Sequence, residues 1–219
     1  RDHTVGPEPG GAGPGPAAPF HSVARTASMR IVGGKYKGRR IHPPRSTLAR
    51  PTTDYAKEGL FNILQHTVPL EGIRVLDLFA GTGSISLEFL SRKAGEVISV
   101  EQDRELFSHL QGAARALQAT NWHHVKADAF NFVKGHHATY DIIFADPPFN
   151  LEGTEQLPVL IREAGLLDPE GLLIIEHPKN VNMSTDPWFD RHRPYGNVHF
   201  SFFKPSPAAQ AGVINAERQ

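Results

Sequence analysis

The chain has 219 residues, enough for one sizeable core and few for two. No apolar run approaches a membrane span, and there is no cysteine, which excludes disulfides and thiolate metal sites and fits a reducing compartment. Net charge is zero, yet Met29 to Thr53 holds seven basic residues and no acid, while residues 54–219 hold 14 basic against 21 acidic. A basic segment on an acidic body points to an anionic partner, or else to a solvated hairpin that is basic by chance.

Residues 1–28 are dominated by Gly, Pro and Ala and are expected to be a disordered tail. They lack the apolar core of a secretory signal and the Arg-rich amphipathic pattern of a transit peptide. Met29 is the expected natural start. From Met29 to Ile41 the pattern is strand, turn, strand, a twisted hairpin presenting Lys35, Lys37, Arg39 and Arg40 on one face. Pro43-Pro44 ends it. Arg50-Pro51-Thr52-Thr53-Asp54 then leads into a helix with Thr52 or Thr53 as N-cap, and Ala56, Leu60, Ile63 and Leu64 recur at helical spacing.

In Arg74-Val75-Leu76-Asp77-Leu78-Phe79-Ala80-Gly81-Thr82-Gly83-Ser84 a buried strand runs into a Gly-rich turn and then a helix from Ile85 to Arg92. A nicotinamide dinucleotide fingerprint would need a third glycine, where Ser86 stands, and does not call for Asp77 inside the strand. An acid four residues ahead of Gly81 suits a ligand with a cationic amino group. The second strand, Glu96 to Glu101, ends on an acid placed to accept from ribose hydroxyls. A helix carrying Leu106, Leu110, Ala113 and Leu117 follows. A third strand near His123–Ala127 ends at Asp128-Ala129, where Asp128 either accepts from an adenine amine or caps a helix.

The fourth strand, Asp141 to Asp146, is stopped by two prolines that cannot donate to a ladder. Asp146-Pro147-Pro148-Phe149 is then an acid, a rigid turn and a ring at a strand's carboxyl end, where ligands bind in open α/β sheets. The carboxylate and a carbonyl suit an exocyclic amine and the ring suits a base face; the plain alternative is a strand-to-loop turn with a core Phe. A helix near Glu155–Ala164, a fifth strand Gly171–Glu176 and two strands around Tyr195-Gly196-Asn197 complete the pattern. Glu176 lines the site mouth or, as the preferred reading, is an ordinary edge acid. The histidine pairs lack metal-ligand spacing, so no metal is expected.

Asp77-x-Phe79-x-Gly81-x-Gly83 together with Asp146-Pro147-Pro148-Phe149 resembles the S-adenosylmethionine-dependent amino-methyltransferases. The basic hairpin, Arg50-Pro51-Thr52-Thr53-Asp54, Glu58, Leu60-Phe61-Asn62 and Tyr195-Gly196 are similar to the bacterial RsmD family, which methylates a guanine N2 of 16S ribosomal RNA. The resemblance covers Met29 to about Phe203. It implies a Rossmann-like α/β fold, a mostly parallel seven-stranded sheet with a reversed last strand and helices on both faces, plus an N-terminal hairpin and helix. It gives an RNA-contacting extension (29–69) and a catalytic domain (70–204), between the disordered tail (1–28) and a flexible C-terminal tail (205–219) that composition marks. S-adenosylmethionine would meet Asp77, Phe79, Gly81, Gly83, Glu101, Asp128 and Ala129. Asp146, Pro147, Pro148 and Phe149 would carry catalysis. Lys35, Lys37, Arg39, Arg40, Arg50 and Thr52 would hold substrate. The implied setting is a cytoplasmic monomer acting on 16S rRNA or the assembling small subunit, with no membrane. A methyltransferase for a DNA or protein amine, or a non-catalytic RNA-binding assembly factor, are the alternatives.

Overall fold

The computed structural model describes residues 28–44 and 52–206. The expected N-terminal tail up to residue 27, Arg45, Arg50 and the C-terminal residues from 207 onward lie outside the described residues. Nine strands form two sheets among the described residues. β1 (Met29–Arg30) and β2 (Arg40–Ile41) pair antiparallel. The larger sheet contains β3 (Arg74–Leu78), β4 (Glu96–Val100), β5 (Trp122–Val125), β6 (Tyr140–Ala145), β7 (Leu167–His177), β8 (Phe189–Tyr195) and β9 (Val198–Phe203). Its order is β5-β4-β3-β6-β7-β9-β8. Strands β3 to β7 are parallel, and β9 runs antiparallel to both of its neighbours. The last strand is the reversed one, as the family resemblance implies.

Alternation along each strand sends apolar side chains to both faces. Val75, Val97, Ile142 and Ile174 pack under α1 (Asp54–Gln65), α2 (Ser84–Ser91) and α3 (Arg104–Leu117). Leu76, Ile98, Ile143 and Leu173 pack under α4 (Ala129–Gly135) and α5 (Leu157–Glu163). The chain passes outward from β3 to β4 and β5, then returns to place β6 on the other side of β3. That reversal opens a crevice at the carboxyl ends of β3 and β6.

Several boundaries differ from the sequence reading. The hairpin's strands are two residues each, so Lys35 and Lys37 stand in a turn and not on an alternating strand face. The reason is docking onto α2. Lys35 N donates to Ser91 O at 2.7 Å, Tyr36 N donates to Ser91 Oγ at 2.9 Å, and Ser91 Oγ donates to Gly33 O at 2.5 Å. Gly34 takes φ of 74°, and a Cβ there would lie 2.0 Å from Ser91 O. Backbone groups that a longer ladder would use are committed to the helix. Thr53, not Thr52, caps α1, accepting from Ala56 N at 3.2 Å. β5 starts and stops earlier than expected, and β7 extends back to Leu167. The helix expected from Glu155 begins as a 3-10 turn, Thr154–Gln156, before α5. The sequence reading offers α4 only as the helix that Asp128 would cap in one of its two roles, because seven residues are too few to show a helical period.

Behind the arm lies a buried polar knot. Glu88 is fully buried; it accepts from Val32 N at 2.7 Å and pairs with Lys57 at 3.5 Å and with Arg92. Lys57 Nζ donates to Arg30 O at 2.6 Å. A buried carboxylate with two cations and a backbone donor is satisfied where a lone one would not be. The Tyr195-Gly196 pair has a structural account too. The Tyr195 ring lies against Gly59, where a Cβ would come within 2.1 Å of it, and Gly196 turns the chain with φ of 65°.

Candidate active site

The crevice holds a cavity of about 590 Å³. Asp77, Phe79, Gly81, Glu101, Ala129, Thr52, Asp146, Pro147, Pro148 and Phe149 all line it. Gly83 and Asp128 do not. Lys35, Lys37, Arg39 and Arg40 stand apart from it on the arm, and Arg50 lies outside the described residues. Residues that the sequence reading did not single out also border it, among them Thr82, Ser84, Gln102, Asn197 and Val198.

Each acid reaches the cavity from the end of a strand. Asp77 sits near the end of β3 with 1% exposure, and its Oδ2 accepts from Ser86 Oγ at 2.5 Å and Ser86 N at 3.2 Å. That places a carboxylate under the first turn of α2, favourable toward the helix's N-terminal dipole. Burial, partly offset by Ser86, pushes Asp77 up to about 7. Glu101 follows β4 and braces the glycine loop: Oε2 accepts from Gly81 N at 2.7 Å and Oε1 from Asp103 N at 2.8 Å. A carboxylate has capacity for further donors beyond these two. Asp146 follows β6, and desolvation, then the neighbouring carboxylates of Glu176 and Asp77, raise it well above the usual range.

The two glycines do different things. Gly81 has φ of 55°, and a Cβ there would meet only Phe79 O at 3.8 Å, so its cavity side is open. Gly83 has φ of 78°, and a Cβ there would lie 2.6 Å from Leu110 and 3.0 Å from Trp122. The lack of a side chain at Gly83 is required by packing against α3 and β5. Phe79 itself takes φ of 60°, a strained conformation for a non-glycine residue, at the bend between strand and loop. Asp128 Oδ1 accepts from Asn131 N at 2.9 Å and caps α4, the second of its two expected roles. Phe149 is 54% exposed at the rim, which removes the reading of a core ring.

Glu176 departs from the preferred reading. It is 4% exposed, lines the cavity, and accepts from Thr52 Oγ1 at 3.0 Å. Burial, opposed by the Thr52 hydrogen bond, pushes it up to about 7. An edge acid would be solvated; here β9 covers the far side of β7.

Four carboxylates therefore line the cavity, and no Lys, Arg or His does among the described residues. An anionic pyrophosphate is disfavoured there, and a cation is favoured. The Ser84 hydroxyl adds a buried polar atom with no hydrogen-bond partner among the described residues. Both features fit a ligand that carries positive charge and hydrogen-bonding groups. The described residues contain no group of three or more His, Asp or Glu placed to hold a metal ion, and no helix long and apolar enough to cross a membrane.

Known proteins are similar to this chain in sequence and in fold. The chain is 33% identical over 189 residues to ribosomal RNA small subunit methyltransferase D of Escherichia coli, covering 85% of this chain and 93% of that protein. The solved structure of the putative methyltransferase yhhF from E. coli superposes with a TM-score of 0.73 at 30% identity, over 82% of this chain and 99% of that one. The T. thermophilus 16S rRNA N2 G1207 methyltransferase (RsmC), solved with AdoMet and guanosine, has a TM-score of 0.64 at 22% identity, over 83% of this chain and 50% of that one, a likeness of fold. The family model described as conserved hypothetical protein 95 matches residues 29–204. With that match and that identity, the chain belongs to the conserved hypothetical protein 95 family, the RsmD family of ribosomal RNA small subunit methyltransferases.

Proposed function

We propose that the chain transfers a methyl group from S-adenosylmethionine to the exocyclic N2 amine of a guanine in small-subunit ribosomal RNA. The observation that carries this reading is a cavity with four carboxylates and no cation among the described residues, ending at Asp146-Pro147-Pro148-Phe149. Asp77, Gly81 and Ser84 would hold the methionine part, Glu101 the ribose hydroxyls, and Ala129 the adenine, with Asp128 beside it. When bound, S-adenosylmethionine supplies a methyl group made electrophilic by a sulfonium.

An exocyclic guanine amine is a poor nucleophile because its lone pair is delocalised into the ring. The Asp146 carboxylate and the Pro147 carbonyl accept hydrogen bonds from its two hydrogens and draw them out of the ring plane. The lone pair would then be localised toward the methyl group; the new N–C bond would replace the S–C bond, the thioether would leave, and the proton shed by N2 would pass to the Asp146 carboxylate. Pro147 and Pro148 hold that carbonyl and the turn fixed. Phe149 offers its exposed ring as a stacking face, so much of the rate advantage is positioning. A base inside a helix must first leave the stack.

In this reading residues 29–69 grip the RNA. Lys35, Lys37, Arg39 and Arg40 are exposed and contact phosphates without reading sequence. Residues 70–204 carry the chemistry. The protein acts as a cytoplasmic monomer without metal, on ribosomal RNA or the assembling small subunit. Labelled S-adenosylmethionine offered with naked small-subunit RNA, DNA, mature small subunits and partly assembled particles tests it. Label entering RNA or particles is expected; label entering only DNA or protein, or nothing, overturns it.

A further inference from the structure

Asp146-Pro147-Pro148-Phe149 suits any planar exocyclic amine, so it does not choose among bases. The choice needs a group beside the amine. Guanine N2 adjoins N1–H, a donor. Adenine N6 adjoins N1 and cytosine N4 adjoins N3, and both of those are acceptors. A fixed acceptor next to Asp146 therefore selects guanine by its edge and repels the other two.

The sheet places one there. Ala145 of β6 pairs with Ile175 of β7, so Asp146 and Glu176 come next to each other at the same level of the sheet. Both line the one cavity. Glu176 is held by the Thr52 hydroxyl at 3.0 Å on Oε2, its hydrogen-bond partner among the described residues. Glu176 stands close enough to Asp146 for its negative charge to add to burial in raising the Asp146 carboxyl. N–H donors favour the ionised form of a buried carboxyl pair that has no cation beside it, and the guanine edge presents three in a row.

We infer that Glu176, oriented by Thr52, accepts the N1–H of the target guanine while Asp146 takes the neighbouring amine, and so makes the site specific for guanine. This rests on the guanine-N2 reading above. Glu176 adds no bond-making step. It holds the base edge in register with the amine that reacts.

The test uses the RNA fragment that the protein methylates, prepared with guanine or with 2,6-diaminopurine at the methylated position. Diaminopurine keeps the 2-amine but has an acceptor at N1. Wild-type protein should prefer guanine in kcat/KM by on the order of 100-fold. Glu176→Gln, whose amide can donate to N1 of diaminopurine, should narrow that preference about tenfold or more, with S-adenosylmethionine affinity unchanged. Thr52→Val, read alongside in case the first variant does not fold, should narrow it less. Equal rates on both bases for wild type overturn the inference, as does an equal fall on both bases or a loss of donor affinity in Glu176→Gln. Where Thr52→Val is the folded variant, an unaltered preference overturns it. Wild type that methylates neither base defeats the guanine-N2 reading itself, which is a different failure.

Discussion

The cavity and the arm are opposites in charge and in exposure. The cavity is walled by carboxylates at the ends of β3, β4, β6 and β7, and no cation lines it among the described residues. The arm presents Lys35, Lys37, Arg39 and Arg40 to solvent with no acid between Met29 and Thr53. A net charge of zero conceals both. Grip and chemistry are separate jobs with separate electrostatics. An acidic crevice alone would repel RNA; a basic arm carries the phosphates while the crevice keeps its carboxylates for amines and a cationic donor. The two regions are joined by hydrogen bonds from the arm to Ser91 and Glu88 of α2, the helix that begins at the glycine loop. The Thr82 hydroxyl of that loop also donates to Met29 Sδ.

Breaking the chemistry side should give the largest effect. Asp146→Asn is expected to lower turnover about 100- to 1,000-fold, because one preorganised acceptor at the reacting amine is weakened. RNA affinity should stay within about twofold, since phosphate contacts set it. Turnover and filter-binding on the same variant check this. Next is the grip side. Neutralising Lys35, Lys37, Arg39 and Arg40 together should flatten the log–log salt dependence of RNA binding by about 3. An unaltered slope would show that the arm is merely solvated.

Phe149→Ala comes third. Losing a stacking face should cost about 1–3 kcal/mol in transition-state positioning. Because the ring is 54% exposed, the melting temperature should hold. Phe149→Tyr and Phe149→Trp should retain much of the activity. Gly34→Ala tests the join. Its φ of 74° and a 2.0 Å approach to Ser91 O predict a loss of about 1–3 kcal/mol by denaturation and weaker RNA binding, with the cavity intact.

The smallest effect is a proton. Burial holds Asp77 at about 7, so at pH 7 about half of it is protonated in the free protein. A donor ammonium beside it favours the ionised form and pulls the pKa back down. Binding should release protons at pH 7, and donor affinity should rise as pH climbs from about 5 to 8. Calorimetry in two buffers of different ionisation enthalpy measures the release; an enthalpy independent of buffer would remove Asp77 from the ammonium's side.

Much of the cavity was legible because each buried strand is an apolar run that ends on an acid. Asp77, Glu101 and Asp146 carry that signal within a few residues of local sequence, and the structure brings all three to one cavity. What escaped depends on distant partners. Glu176 has the same strand-end signal, but its burial comes from β9 and its hydrogen bond from Thr52, 124 residues earlier. At Gly83 the need for a missing side chain comes from Leu110 and Trp122, which nothing near it in sequence shows. The arm reads as a longer hairpin because Lys and Arg alternate there, and nothing local tells that Ser91 will take its backbone hydrogen bonds.

The division between chemistry and grip is tested most directly by single-turnover methyl transfer at saturating RNA, measured together with RNA dissociation constants, for Asp146→Asn and the four-charge arm variant. A crossed pattern is expected. Asp146→Asn keeps its RNA affinity and loses the transfer rate, while the arm variant loses affinity and keeps the rate once RNA saturates it. Two variants that each lose both would contradict it.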